Sequence, residues 1–165
     1  MALSPRRPPP WLLLLAPLFV AGCALPPPAP GTGEADLRQR WGAPTDTHGL
    51  PDGGRRLEYA TGPMGRSTWM IDLGADGRVR QARQVLSPEA LWALPTGTLD
   101  RAALRRELGR PGEVRGVHGG GETWFWRYET NDCLWLAASI DREGRFTGGA
   151  LLPDPACDAP SDAFS

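Results

Sequence analysis

Two periods alternate along the chain. Leu37 and Trp41 stand four residues apart, and so do Leu104 and Leu108. That spacing puts each pair on one side of a short helix. Both helical stretches end in a stop signal. Gly42 and Gly109 sit where a glycine closes a helix, and Pro44 and Pro111 prevent its continuation. Asp100 is placed to cap the second helix, with Leu99 and Leu104 set as a hydrophobic staple across its start.

The period then changes to two. Leu57, Tyr59 and Thr61 alternate with Arg56, Glu58 and Ala60, and Trp69, Ile71 and Leu73 alternate with Met70 and Asp72. Such alternation predicts half-buried strands. Asp76-Gly77 predicts a hairpin turn into a third strand, Arg78 to Leu86. The second half repeats the scheme. Trp124, Trp126 and Tyr128 form one strand, and Leu134, Leu136, Ala138 and Ile140 the next. The turn Glu143-Gly144 then leads into Arg145 to Leu152. Each unit is therefore predicted as a helix followed by a three-stranded antiparallel meander. Between them, "SPEALWALPTGT" predicts a short helix after Ser87-Pro88, with Leu91, Trp92 and Leu94 available for packing.

The units align at a constant offset of 67 without a gap. "ADLRQRWGAP" from Ala35 matches "AALRRELGRP" from Ala102, and identities continue to Gly77/Gly144 and Arg78/Arg145. One unit of about 55 residues has a marginal core, and two joined side by side bury more and hide one sheet edge each. The expected fold is α+β, with a joined sheet and the helices on one face. The units are 33–86 and 97–152, with a linker at 87–96 and a tail at 153–165.

Strand parity divides the faces. Trp124, Trp126 and Tyr128 share the parity that meets the helices, while Phe125 and Arg127 point the other way. Trp135 and Cys133 oppose Leu134 and Leu136, and Met70 opposes Trp69 and Ile71. Phe125, Trp135, Arg127 and Met70 are thus the candidate partner-binding residues, on the face away from the helices. Two readings stay open for that face. It is an aromatic patch for a partner, or the C-terminal segment covers it.

The first 32 residues follow neither period. Arg6 and Arg7 precede the apolar run Trp11 to Val20, and Ala21-Gly22 leads to Cys23. This is the layout of a secretory signal over residues 1–22, too short to span a membrane as a helix. Val20-Ala21-Gly22-Cys23 resembles a bacterial lipobox, which makes Cys23 the lipidated first residue of the mature protein. The competing reading is an ordinary secretory signal that ends near a cysteine. Ala24, rather than Asp, follows Cys23 and favours the outer membrane, facing the periplasm. Residues 23–32 are a proline-rich tether, which as polyproline II reaches up to roughly 30 Å.

Composition narrows the function. Removing Arg6 and Arg7 from the 18 basic residues leaves 16 against 19 acidic ones, which gives no basic excess for nucleic acid. Of three cysteines, Cys23 goes to lipid. Cys133 and Cys157 then remain in an oxidising compartment, where a disulfide is expected. Two buried free thiols are the alternative. Candidate chemistry is sparse. His48 and His118 fall in glycine-rich stretches and read as exposed loop residues. "GVHGGGET" does not link a strand to a helix, so it is not a phosphate loop. Ser67, Ser87 and Ser139 lack a nucleophile-elbow context. The expectation is a protein without catalytic residues, metal, cofactor or small-molecule substrate.

"LRQRWGAP", "RLEYA" and "MIDLGADGRV", then "LRRELGRP", "TWFWRY" and "SIDREGRF", resemble the pattern of the SmpA/OmlA (BamE-like) family of outer-membrane lipoproteins. The resemblance covers about 33–86 and 97–152. It implies a binding module, anchored by lipid, that serves envelope integrity or outer-membrane protein assembly through an envelope protein partner. The usual member has one unit and this chain has two. The tandem arrangement also looks like that of the β-lactamase inhibitor proteins, which implies the alternative of a module that grips a periplasmic or foreign enzyme.

Overall fold

The computed structural model describes residues 26–62 and 64–157. Residues 1–25, which hold the expected signal sequence and Cys23, and residues 63 and 158–165 lie outside the described residues. The first unit is helix α1 (Glu34–Trp41) followed by strands β1 (Asp46–Gly49), β2 (Arg55–Ala60), β3 (Thr68–Leu73) and β4 (Val79–Gln84). A short helix, α2 (Pro88–Trp92), joins it to the second unit. There α3 (Arg101–Leu108) precedes β5 (Glu113–Gly116), β6 (Glu122–Arg127), β7 (Leu134–Ile140) and β8 (Phe146–Pro153). Each unit carries its own antiparallel sheet, ordered β1-β2-β3-β4 and β5-β6-β7-β8. The fold is α+β, as expected, but each meander has four strands rather than three, and the sheets are separate rather than joined.

The additional strands carry little hydrophobic signal. β1 reads DTHG and β5 reads EVRG. Each is placed by its backbone on the next strand, through a turn that recurs at the same offset. Leu50 N–H donates to Gly54 O, and Val117 N–H donates to Gly121 O.

The local signals are used as written. Gly42 and Gly109 close α1 and α3 at φ 78° and 80°, donating to Arg38 O and Arg105 O. Asp100 accepts from Ala103 N–H at the start of α3, and Ser87 accepts from Ala90 N–H at the start of α2. Leu91 of α2 is fully buried, whereas Trp92 is exposed. Residues 31 and 32, expected at the end of the tether, are bonded into the first unit: Gly31 N–H donates to Val79 O, and Val79 N–H to Thr32 O.

Two cores result. In the first, Leu37 lies against Leu57, Tyr59, Ile71, Leu73 and Val79, and Trp41 sits edge-on to Tyr59 and Trp69. In the second, Leu104 and Leu108 of α3 meet Trp124, Trp126, Leu136 and Phe146. Burying either leucine stabilises the unit by about 1.5–3 kcal/mol.

Met70, Val85 and Leu86 belong to the first unit but pack into this second core. Met70 faces away from α1, as parity requires, yet it is 1% exposed. The C-terminal half of α3 covers that face of the first sheet. The helices therefore do not share one face of a common sheet.

Candidate functional site

Two places gather polar and aromatic side chains. One is the joint between the units. Asp46 and His48 alternate along β1, and Glu58 on β2 is the register partner of Asp46. All three point to the side that receives α3. Glu58 is 1% exposed, and its Oε1 accepts from Arg110 N–H at 3.1 Å. His48 Nε2 lies 3.5 Å from Glu58 Oε2. Arg105 of α3 bonds Asp46 at 2.9 Å. The Thr47 backbone N–H is the largest influence holding the Asp46 carboxyl below its usual range; burial opposes it, and His48 and Arg105 add to it.

Beside this trio, Arg56 grips Asp72 with two bonds of 2.6 and 2.9 Å. It also donates to the Arg106 carbonyl and to Glu107 at 3.0 and 3.1 Å. Its two bonds to Asp72 are the chief reason its guanidinium is held still more firmly protonated than usual. A cleft of about 360 Å³ runs along the joint, lined by Thr45, Glu58, Arg105, Arg110 and Trp126 among others.

The other place is the outer face of the second sheet. Phe125 and Trp135 stack edge-to-face at 4.9 Å. Arg115 lies 4.8 Å over Phe125 and 5.2 Å over Trp135, and Arg127 lies 4.8 Å over Trp135. Asp154 holds Arg127 with bonds of 2.6 and 3.0 Å. Asp154 N–H donates to Cys133 O, and Cys133 is disulfide-bonded to Cys157 with Cα atoms 6.1 Å apart. Cys133 adopts φ 51°, the left-handed region, at this crossing.

This face is covered. Phe125 is 6% and Trp135 3% exposed, so of the two readings left open for this face the open aromatic patch does not hold. The guanidinium planes of Arg115 and Arg127 lie on the rings, and the tail from Pro153 to Cys157 closes one side. What remains on the surface around them is Met64, which accepts from Arg127, and Leu152, the register partner of Trp135. Met70 is separate from this face, being buried at the joint.

His48 corrects the sequence reading most sharply. It was expected in a loop, and it stands on a strand beside a buried carboxylate. Asp46 and Glu58 were not singled out as site residues. The signal available was the pattern D-x-H opposite an inward-parity glutamate, legible only once DTHG is recognised as a strand.

No protein-family model, curated protein or solved structure matches this chain. Among the described residues, no helix is long and apolar enough to cross a membrane.

Proposed function

We propose that the chain is a lipid-anchored binding module of the bacterial envelope, without catalytic activity of its own. Cys23 would carry the lipid at the periplasmic side of the outer membrane, and the proline-rich segment would hold the folded units off the bilayer. The observation that carries this reading is the doubled unit itself, helix then antiparallel sheet, placed behind a lipobox and a proline tether. Elements and hydrogen bonds recur at one offset: Gly33↔Arg78 and Asp100↔Arg145 are equivalent bridges. Such an architecture offers two sheets and their hairpin loops as surface for an envelope protein, in keeping with the resemblance to the SmpA/OmlA family.

Of the exposed large apolar residues among those described, all but Trp92 on α2 lie on or beside the second unit, which favours it as the contact region. Val114, Val117 and Leu152 lie on its strands and hairpin, with Met64 beside its outer face. The inhibitor-like alternative calls for an open aromatic sheet face, and the burial of Phe125 and Trp135 leaves it less supported.

Mild crosslinking in cells, followed by purification of the full lipidated chain, tests the reading. One envelope protein should be recovered reproducibly, and its recovery should fall with Val117→Asp and Leu152→Asp. Recovery of no envelope protein, with an intact envelope on deletion, would overturn it. Palmitate labelling that survives Cys23→Ser would overturn the anchoring.

A further inference from the structure

The joint between the units holds a set of donors that hydrogen bonding does not use up. Glu58 is 1% exposed, and its Oε2 has no hydrogen-bond partner. His48 Nε2 is likewise buried and lacks one. The two atoms are 3.5 Å apart, long for a hydrogen bond. Asp46 supplies a third donor, and the three ligand atoms lie within 4.8 Å of one another.

A buried carboxylate oxygen 3.5 Å from a buried imidazole nitrogen is satisfied either by an ion pair with a protonated imidazole or by a third partner that both atoms bind, and the third acidic donor beside them favours the second. A tetrahedral zinc ion with bonds of about 2.0–2.1 Å sets its ligand atoms about 3.3–3.4 Å apart. The His48–Glu58 separation is close to that edge.

We infer that Asp46, His48 and Glu58 form a zinc site between the two units. One imidazole and two carboxylates supply three ligands, and the fourth position is left to water. Transition-metal ions of this class accept such a mixed N/O set. Arg105 and the Thr47 N–H already bond Asp46, but each carboxylate oxygen retains a second lone pair. Arg105 opposes a cation by its charge, while it fixes the carboxylate and keeps it ionised. Glu58 also accepts from Arg110 N–H of the second unit, so the metal would tie both units through one side chain.

The test is titration of the full chain in detergent, stripped with chelator, against zinc alone by calorimetry and against cobalt by visible absorption. One ion per chain and a tetrahedral cobalt spectrum are expected. His48→Gln and Glu58→Gln should each weaken zinc binding at least about tenfold. His118→Gln should bind as the parent does. Glu58→Gln keeps an oxygen for the Arg110 N–H, and His48→Gln changes only a partly exposed edge-strand residue, so one remains informative if the other misfolds. Zinc should also raise the melting temperature of the parent and not of His48→Gln. Absence of binding by the parent would overturn the assignment. So would undiminished binding by a folded His48→Gln, or an equal loss with His118→Gln.

Discussion

Tyr59 and Trp126 occupy the same position in successive units, and each donates a hydrogen bond to the glycine carbonyl that closes its unit's helix. Tyr59 Oη reaches Gly42 O at 3.1 Å, and Trp126 Nε1 reaches Gly109 O at 3.2 Å. Two different side chains solve one problem, the orphan carbonyl at a helix end. Tyr59→Phe removes only the bond and should cost about 0.5–1.5 kcal/mol in urea unfolding. Trp126→Phe removes bond and volume from a site 2% exposed. It should cost more, about 2–4 kcal/mol. No measurable cost for Tyr59→Phe would mean that the hydrogen bond is not the shared element.

Gly42 and Gly109 are conformational equivalents in different surroundings. Both have φ near 80° with ψ near 180°, a region almost confined to glycine. A Cβ on Gly42 would meet nothing within 4 Å, whereas on Gly109 it would lie 2.9 Å from Thr68 Cγ2 and 3.0 Å from Glu58 Oε1. Gly42→Ala should cost about 1–3 kcal/mol from backbone strain alone. Gly109→Ala adds overpacking at the joint, about 1–3 kcal/mol more. Thermal unfolding of the two variants, compared directly, measures the tightness of the joint.

Arg56 is the charge whose removal should hurt most. It is 9% exposed and answers both Asp72 and Glu107. Arg56→Ala strands Asp72 at the joint, leaves Glu107 only the more distant Arg83, and should cost about 3–5 kcal/mol. Pairing Arg56→Met with Asp72→Leu replaces the ion pair by apolar volume and should recover much of that loss. A double variant no better than Arg56→Ala would show that Arg56 acts through the Arg106 carbonyl and Glu107 rather than through Asp72.

Much of this was legible in the chain. The helix stops, the Asp100 cap, the strand faces and the offset of 67 all rest on local signals, and each is used in the structure. What was not legible has a common cause. Alternation says which side chains share a face, not what packs on that face. Met70 points away from α1, as parity required, but the cover it receives is α3 from the other unit. β1 and β5 are formed by backbone pairing with little apolar contribution, so the period gave no sign of them. The candidate site depended on that strand, since His48 on a loop and His48 opposite Glu58 are chemically different residues. The cover over Phe125 and Trp135 depended on Asp154, a tail residue whose partner Arg127 is 27 positions away.

Asp154 ties that tail down, and the tie should be sensitive to acid. Burial, the largest single influence, pushes its carboxyl up. The bonds from Arg127 and the Ala156 N–H, with the nearby Trp135 and the charge of Arg127, together outweigh it, so the net position is below the ordinary aspartate value of 3.8. A carboxyl depressed in the folded state contributes stability that is fully present above its unfolded value. That contribution is lost as the pH falls through the lower, folded value. Asp154→Asn cannot ionise and should lack the contribution at every pH. The parent should therefore be more stable than Asp154→Asn by a constant margin from pH 7 to about pH 5. The margin should shrink as the pH is taken below 3.8. Urea unfolding followed by tryptophan fluorescence reads this directly, because Trp135 lies under Arg127. The Cys133–Cys157 bond keeps the tail nearby in both proteins, so the comparison isolates the charge. A margin as large at pH 2.5 as at pH 7 would mean that the shape of the tail, and not the ionised carboxylate, holds Arg127 over the ring.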